Sequence, residues 1–363
     1  MNPLVKLTLL AAALAVALCS SQAVGGEGRA LLELRTPHET VRGRLAARTP
    51  AAAFLFTPAG RMAEVPLASV VGFRRLSSRF VPDSPRTVAD ALRRELGPGG
   101  AVSRTRHYIV VRHDSRVAGT FAGRLERIYA GVTGWFRRRG ARVRDPEFPL
   151  VAVVLPDFPQ FAEVAAAEGL ATSAARVPRG LGGYYSPGTN RLTVWEPPGG
   201  ATDARFADTL VHEAVHQIAF NTGLHHRTGG TPRWVAEGLA TALEAPALLS
   251  PAGSTRTADR VNAGRLRAFR ARSQTRPADY VTALVAGGDA VSGDVLGFYA
   301  ESWAVTFYLM HARGGDYANY LAALAGGTAA APDAPADRLR AFRAAFGDPD
   351  RVGAAADRFL ADL

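Results

Sequence analysis

Cysteine and lysine are almost absent from this chain of 363 residues. Cys19 is the only cysteine, and Lys6 is the only lysine among the 43 lysines and arginines. A single cysteine excludes an intramolecular disulfide bond and any metal site built on several thiolates. If cleavage after Ala23 also removes Cys19, any metal ion bound by the mature chain must be held by histidine, aspartate or glutamate side chains.

Long apolar runs are also scarce, and the one near the N-terminus is short. Lys6 precedes an apolar run from Leu7 to Leu18, which small and polar residues follow. This pattern predicts a secretory signal peptide over residues 1–23, cleaved after Ala23, and hence a secreted or periplasmic protein. Because a membrane span needs roughly 20 apolar residues, we expect no transmembrane span in the mature chain. A lipoprotein acylated at Cys19 is the less favoured alternative, since the preceding leucine is bulky for such a site.

The chain is strongly basic but lacks the features of a nucleic-acid surface. Its formal charge is +11, of which cleavage after Ala23 would remove only the charge of Lys6. Basic runs such as Arg137–Arg139 contain no interleaved aromatic residues and match no nucleic-acid motif. We therefore expect no nucleic-acid partner, while association with acidic envelope polymers stays open.

The region after the signal peptide has a strand-like pattern. Between Leu31 and Leu76, short alternating runs rich in β-formers are separated by proline, glycine and threonine. These runs predict a small β module over residues 24–80, whose pattern weakly resembles SH3-like or Sm-like barrels. Residues 77–84 are interpreted as a linker, and residues 84–363 as a second domain.

Helix and strand patterns alternate in the second domain, which predicts an α+β fold. The predicted order is a helix at "PRTVADALRREL", a strand at "HYIVVRH", an amphipathic helix from about Val117 to Arg139, a strand at "LVAVVLP", a helix at "DFPQFAEVAAAEG" and a hairpin at "GGYYSPGTNRLTVWEP". A further helix carries "TLVHEAVHQIAFNTG", and the chain after Glu244 is mostly helical.

The segment "HEAVH" places two histidines and a glutamate on one helix. His212 and His216 are one turn apart, with Cβ atoms roughly 5–6 Å from each other on the same face. Two imidazoles at this spacing can converge on one Zn²⁺ ion at about 2.0–2.1 Å each. Glu213 is rotated away from the pair, close enough to reach a metal-bound water without being a ligand.

A third ligand is required, and "TPRWVAEGLATALE" offers one. Pro232 suits the first turn of a second helix, on which Glu237 then falls. Gly238 removes a side chain, so we expect the two helices to approach each other closely there. The alternative for Glu237 is a solvated carboxylate on the helix surface. Without a third ligand, the motif would be a chance match in a helical scaffold protein.

"HEAVH" followed by "WVAEGLA" resembles the gluzincin group of zinc peptidases. More narrowly, the region from about Tyr108 to Met310 resembles a little-studied bacterial family of gluzincin-like proteins that contain a domain of unknown function. The resemblance implies a zincin-like fold with a mixed sheet, an active-site helix and a mainly helical C-terminal part. It also implies His212, His216 and Glu237 as zinc ligands and Glu213 as general base.

The sequence departs from related patterns at two places. Thermolysin-like members have an aspartate four residues after the glutamate ligand that orients a histidine, but that position is Thr241 here. The orienting group must then come from elsewhere, and Glu244 is the candidate. His225 and His226 partly echo the third histidine of another zincin group, but we interpret them as loop residues or substrate contacts.

Two further segments are candidates for substrate contacts. In zincins, a strand beside the metal helix offers its free edge to an extended peptide, and Leu192–Trp195 is our candidate for that strand. A sheet strand with no ligand is the alternative. Related gluzincins use a downstream tyrosine or histidine to stabilise the oxyanion, which makes Tyr299 in "GFYAESWAVTFYLMH" a candidate. An ordinary packed tyrosine is the alternative for this residue.

These features predict an exported, zinc-dependent metallopeptidase that hydrolyses peptide or protein substrates by metal-activated water. The main alternative is a non-catalytic envelope binding protein that keeps a zincin fold. Presence of His212, Glu213 and His216 together favours the enzyme.

Overall fold

A computed structural model of the chain describes residues 29–96, 100–112, 118–198, 203–245, 256–287, 294–326 and 334–363. The predicted signal peptide and Cys19 lie outside these residues. The described part is an α+β structure with two sheets, a small β module and a region that ends in helices. None of the helices in these ranges has the length and apolar character needed to cross a bilayer.

The β module is a five-stranded antiparallel sheet in the order β4-β3-β2-β1-β5. Its strands are β1 (Leu31–Arg35), β2 (Thr40–Arg48), β3 (Ala52–Phe56), β4 (Met62–Pro66) and β5 (Gly72–Ser77). Alternate residues of these strands, among them Leu34, Leu55 and Val65, are fully buried in a small core of their own. The predicted β module is therefore present, and its SH3-like or Sm-like fold stays a prediction.

The second sheet is mixed and has the order β6-β7-β8-β10-β9. Its strands are β6 (Ala101–Arg104), β7 (Tyr108–Arg112), β8 (Leu150–Leu155), β9 (Gly183–Ser186) and β10 (Arg191–Trp195). β8 lies parallel to both β7 and β10, while β9 returns antiparallel to β10. The predicted strands and the hairpin are confirmed, whereas β6 was not predicted from its short, half-buried sequence.

The helices follow the predicted pattern, with two additions. They are α1 (Pro85–Leu96), α2 (Ala118–Arg137), α3 (Phe158–Ala167), α4 (Ala204–Thr222), α5 (Arg233–Leu243), α6 (Ala263–Ala271), α7 (Tyr280–Gly287), α8 (Val295–Ala312), α9 (Gly314–Gly326), α10 (Pro335–Phe346) and α11 (Pro349–Ala361). α7 and α9 were not predicted as separate helices within the mostly helical C-terminal part.

The central strands of the second sheet carry apolar side chains on both faces, and a layer of helices therefore packs on each face. Leu150, Ala152 and Val154 of β8 pack in one core with α2 and α4. Val151 and Val153 face the other way and pack with α1 and α3. The first core continues without interruption into α5 and α8, so α4 is packed between the sheet and the C-terminal helices.

One prediction about the second sheet is wrong. Leu192–Trp195 was the candidate for the free edge, but this segment lies inside the sheet between β8 and β9. The edge strand is β9, the other arm of the hairpin. A hairpin sequence gives the pairing of its two arms but cannot tell which arm pairs with a distant strand. Here the arm richer in buried apolar residues, β10, took the interior place.

The β module packs against the hairpin side of the second part of the chain. Phe148 lies between Phe56 and Phe80, with ring centroids 5.8 and 6.1 Å away. The backbone N–H of Met62 donates to the carbonyl oxygen of Gly188 in the β9–β10 turn, at 2.7 Å. The module therefore has its own core but is also bonded to the hairpin that lies beside α4.

Candidate metal centre

α4 is bounded by well-formed caps. The side chain of Asp203 accepts a hydrogen bond from the backbone N–H of Phe206, which satisfies one of the free donors of the first turn. Gly223 ends the helix at φ 84°, a left-handed conformation that favours glycine. These caps fix where the helix begins and ends.

One polar stripe of α4 holds the hairpin. Glu213, Gln217 and Asn221 follow one another at intervals of four residues and therefore share a face. Gln217 is fully buried, and its Nε2 donates to the carbonyl oxygens of Val151 and Asn190, at 2.9 and 3.0 Å. This amide bonds the middle of α4 both to the central strand β8 and to the turn after β9.

The same stripe makes a side-chain network at the hairpin turn. Asn190 has a positive φ of 59°, and its Oδ1 accepts from Tyr185 Oη at 2.9 Å and from Asn221 Nδ2 at 2.7 Å. The ring of Tyr185 also stacks on Phe220, with centroids 5.7 Å apart. β9 is therefore held in one position along α4.

The second polar stripe of α4 faces α5 and contains the two histidines. His212 Nε2 lies 3.1 Å from His216 Nε2. Oε2 of Glu237 lies 3.2 Å from the first of these nitrogens and 3.5 Å from the second. The structure thus brings together the three predicted ligands, as the one group of this kind among the described residues.

The three atoms fit a tetrahedral zinc site. Metal–ligand distances of about 2.0–2.1 Å at tetrahedral angles require ligand atoms about 3.3–3.4 Å apart. The observed separations of 3.1, 3.2 and 3.5 Å bracket this value. Oε2 of Glu237 is buried and makes no hydrogen bond of good geometry, which leaves an acceptor in need of a positive partner.

The charges around the histidines favour a cation. Burial disfavours the protonated form of His212, but the carboxylates of Glu237 and Glu244 outweigh it and raise its pKa to about 10. Burial opposes ionisation of Glu237, yet His212 and His216 hold its pKa well below the usual range. The carboxylates that stabilise a proton here would equally stabilise a divalent cation, whose binding would displace that proton.

Glu244 orients the first histidine. Its Oε1 lies 2.8 Å from Nδ1 of His212, which leaves Nε2 to face His216 and Glu237. The other oxygen of Glu244 accepts from Nδ2 of Asn262 at 2.5 Å. The predicted contact of Glu244 is therefore present, and it is the arrangement that fixes a metal-binding imidazole.

Thr241 does not take the place of the missing aspartate. Its side chain is fully buried, and its hydroxyl donates to the carbonyl oxygen of Glu237, one turn earlier in α5. This hydrogen bond stays within the helix and reaches neither histidine. Orientation of His212 therefore depends on the C-terminal end of α5, where Glu244 lies.

Glu213 points towards the edge strand. Its Oε2 accepts a hydrogen bond from the backbone N–H of Tyr185 at 2.7 Å. The residue also lines a cleft of about 630 Å³ together with His212 and Tyr299. One carboxylate oxygen is therefore held by β9, while Oε1 has no such tie.

Tyr299 lines the same cleft. Its ring centroid is 6.5 Å from that of His212, and the guanidinium of Arg265 lies 5.0 Å from the ring centroid of Tyr299. Burial, reinforced by Glu237, raises its pKa to about 12, so the hydroxyl is protonated at neutral pH. Tyr299 can therefore donate a hydrogen bond into the cleft.

The expected role of Gly238 is wrong. A Cβ at this position would overlap the carbonyl oxygen of Ser302 and the hydroxyl of Thr306, which both belong to α8. The glycine therefore allows α5 to approach α8, not α4. Its effect on the site is indirect, because α8 also carries Tyr299.

His225 and His226 are not part of the group of donor atoms formed by the described residues. His225 is buried against Phe220, and burial, together with nearby His216, lowers its pKa to about 3. Nδ1 of His226 lies 2.8 Å from Oγ1 of Thr228 within the loop. Both residues lie at the end of α4, beyond the histidine stripe.

Two partners of the site were not found from sequence. The backbone N–H of Tyr185 carries no sequence signal, because every residue except proline offers that group. Asn262 caps α6 by accepting from Arg265 N, which makes an asparagine before a helical segment recognisable. Its contact with Glu244 depends on how α6 packs and could not be recognised.

Comparison with known proteins assigns part of the chain to a family model. Residues 206–329 match a model described as "Protein of unknown function (DUF1570)". The matched segment includes His212, Glu213, His216, Glu237 and Tyr299. No curated protein matches the chain. The match agrees with the resemblance to a little-studied family, and its description assigns neither zinc binding nor an activity.

The ligand set predicts how substitutions affect zinc. Glu237→Ala should remove most of the zinc affinity, because only two imidazoles would remain, whereas His226→Ala should leave it nearly intact. Metal content after dialysis and a competitive chelator titration measure both. The reverse result would replace Glu237 by His226 in the ligand set.

The contact of Glu244 predicts a smaller effect. Glu244→Gln should weaken zinc binding by about 10- to 100-fold, because the amide orients and polarises His212 less well than the carboxylate. The same chelator titration measures it, with Glu163→Gln on the exposed side of α3 as the matched control. Equal affinity of the two variants would show that Glu244 has no part in metal binding.

Proposed function

We propose that the chain is an exported zinc-dependent metallopeptidase of gluzincin type with a zincin-like fold. The convergence of His212, His216 and Glu237 to within 3.5 Å of one another, beside Glu213, carries this proposal. Three protein ligands with a neighbouring carboxylate are the composition of a catalytic zinc site, since they leave one coordination position for water or substrate. When bound, zinc would act as a Lewis acid and lower the pKa of water to about 7.

Glu213 would act as the general base. Its Oε2 is held by the backbone N–H of Tyr185, so Oε1 is the oxygen free to accept a proton from the attacking water. The same carboxyl group can afterwards give the proton to the leaving amine. The hydrogen bond from β9 would keep the carboxylate aimed into the cleft throughout.

Tyr299 would stabilise the oxyanion. Its hydroxyl is protonated at neutral pH, as in an ordinary tyrosine, and burial raises its pKa further, to about 12. The residue lines the same cleft as His212 and Glu213. A donor in the cleft that holds the general base is suited to the carbonyl oxygen that becomes negative as water adds. The stacked guanidinium of Arg265 would hold the ring in place.

A peptide substrate is supported by the free edge of β9. Backbone N–H and C=O groups of consecutive residues point to opposite edges of a strand, and the N–H of Tyr185 points away from β10 towards Glu213. Gly183, two residues earlier, therefore faces the same way. An extended peptide lying along this edge would pass over the cleft and bind through main-chain hydrogen bonds to outward groups such as those of Gly183, since the N–H of Tyr185 is already bonded to Glu213.

The proposed export rests on the N-terminal sequence alone. Residues 1–23 have the charge, apolar run and small residues of a signal peptide. A non-catalytic envelope binding protein stays the second candidate function, and its basic surface would suit an acidic polymer. Substitution of the proposed general base distinguishes the peptidase from the binding protein.

Glu213→Gln should lower kcat by about 10²- to 10⁴-fold, because an amide cannot accept the proton. Digestion of a peptide library, followed by mass spectrometry, first identifies a cleaved sequence for the kinetic assay. Zinc content should stay near that of the unmodified protein, since Glu213 is not a ligand. Cleavage that is undiminished in the variant would assign the activity to a contaminant and favour the binding protein.

Tyr299→Phe should lower kcat by about 10²- to 10³-fold, because the lost hydrogen bond acts mainly on the transition state. KM, zinc content and thermal stability should change little. Tyr308→Phe is the matched control, since Tyr308 lies on the same helix but packs on Phe359 away from the cleft. If both variants keep full activity, Tyr299 is an ordinary packed residue.

A further inference from the structure

A second cavity lies at the C-terminal end of α4, away from the cleft that contains His212. It has a volume of about 420 Å³ and lies between the β module and the second part of the chain. Its walls include Arg44, Arg144 and Arg227 as well as the carboxylates of Asp145 and Glu147. The proposed peptidase mechanism uses none of these five residues.

The carboxylates of the cavity already have partners, while two of its arginines have none of opposite charge. Glu147 pairs with Arg44 at 2.5 Å, and Asp145 pairs with Arg137 at 3.2 Å. Among the described residues, no carboxylate forms an ion pair with Arg144 or Arg227. The cavity therefore has an uncompensated positive charge.

Arg227 is the more deeply placed of these two cations. It is 8% exposed, and its guanidinium donates to the carbonyl oxygens of Gly60 and Pro187 at 2.8 and 2.7 Å. The guanidinium also lies 4.6 Å from the ring centroid of Phe56. These neutral contacts hold Arg227 in place, and no carboxylate of the described residues forms an ion pair with it, although Glu147 attracts it from a greater distance.

A buried histidine adds an unpartnered group to the same cavity. His225 is 3% exposed, and neither of its ring nitrogens has a hydrogen-bond partner in the part of the chain that the structure describes. Buried polar groups are normally hydrogen-bonded, so an imidazole with two unused nitrogens is an exception that a ligand would resolve. A neutral imidazole can donate one hydrogen bond to an anion.

The cavity lies at one end of the free edge of β9. Pro187, whose carbonyl oxygen holds Arg227, follows Tyr185 by two residues, and Tyr185 is bonded to Glu213. At roughly 3.3 Å per residue, the two positions are about 7 Å apart along the strand direction. A peptide that pairs with β9 over the proposed metal centre would therefore reach the cavity within two or three residues.

We propose that this cavity is a carboxylate-binding subsite for the peptide that lies along β9. Arg144 and Arg227 would supply the positive charge, and the ring N–H of His225 would donate a hydrogen bond to the carboxylate. The inference rests on the proposed peptidase function and extends it, because it assigns a preference for an acidic group near the cleaved bond. The carboxylate could belong to an aspartate or glutamate side chain, or to the C-terminus of the peptide.

Peptide binding to the full-length Glu213→Gln protein tests the subsite without turnover. Fluorescence anisotropy compares blocked alanine peptides in which one aspartate occupies each position in turn, each paired with its asparagine analogue. A further pair has no aspartate and ends in either a free carboxylate or an amide. We expect one aspartate position, or the free C-terminus, to bind at least about 10-fold more tightly than its neutral match. The pair that shows this preference identifies the source of the carboxylate.

Substitution of Arg144 tests whether the preference for the carboxylate arises in this cavity. Arg144 is exposed, so Arg144→Gln should leave the fold intact and abolish most of the preference for the carboxylate. Arg142→Gln is the matched control, because it removes the same charge from an exposed residue of the same segment that does not line the cavity. A preference that Arg142→Gln lowers as much as Arg144→Gln would reflect long-range attraction and overturn the subsite.

Zinc content of the same samples separates the two proposals. Protein that holds zinc but binds each peptide and its neutral match alike, or binds neither, overturns the carboxylate subsite alone. Protein that prefers the carboxylate but holds no zinc supports the subsite and overturns the proposed metallopeptidase.

Discussion

Burial of α4 on both sides is the constraint from which the rest of the structure follows. The helix lies between the mixed sheet and the C-terminal helices, so each buried polar side chain on it needs a partner inside the protein. Gln217 meets this need by bonding to Val151 and Asn190, which fixes the rotation of α4 about its axis. That rotation directs the histidine stripe at α5 and Glu213 at β9. Without this fixed rotation, α4 would not hold the histidines against α5 and Glu213 against β9 at the same time.

Electrostatics at the histidines depends on the same packing. Two carboxylates, Glu237 near the middle of α5 and Glu244 just after its end, approach His212 with one at each ring nitrogen. Such a buried negative cluster is costly unless a positive charge lies within it. In the protein without metal, a proton on His212, whose pKa these carboxylates raise to about 10, supplies positive charge, and a divalent cation would supply it more fully. Asn262 anchors the outer carboxylate and so connects α6 to the centre.

The edge strand β9 joins the two cavities. Glu213 and the cleft lie beside Tyr185, while Arg227 and the second cavity lie beside Pro187. The β module contributes to the second cavity, because Arg227 bonds to Gly60 and lies over Phe56. In the proposed peptidase, the β module would therefore line the cavity that the peptide reaches. It would take part in substrate recognition although it contributes no metal ligand.

The sequence by itself determined the periodic and local features. Spacing of four residues put His212 and His216 on one face of a helix, and the hairpin and most of the strands were recognisable, because these patterns depend on neighbours in the chain. Three features were decided by the tertiary structure alone. They are which hairpin arm became the edge strand, which helix packs closely against Gly238, and which backbone N–H binds the carboxylate of Glu213. These depend on contacts between distant segments, and many sequences with the same local pattern could pack differently. The three donor atoms converge only because α4 and α5 pack in one particular register.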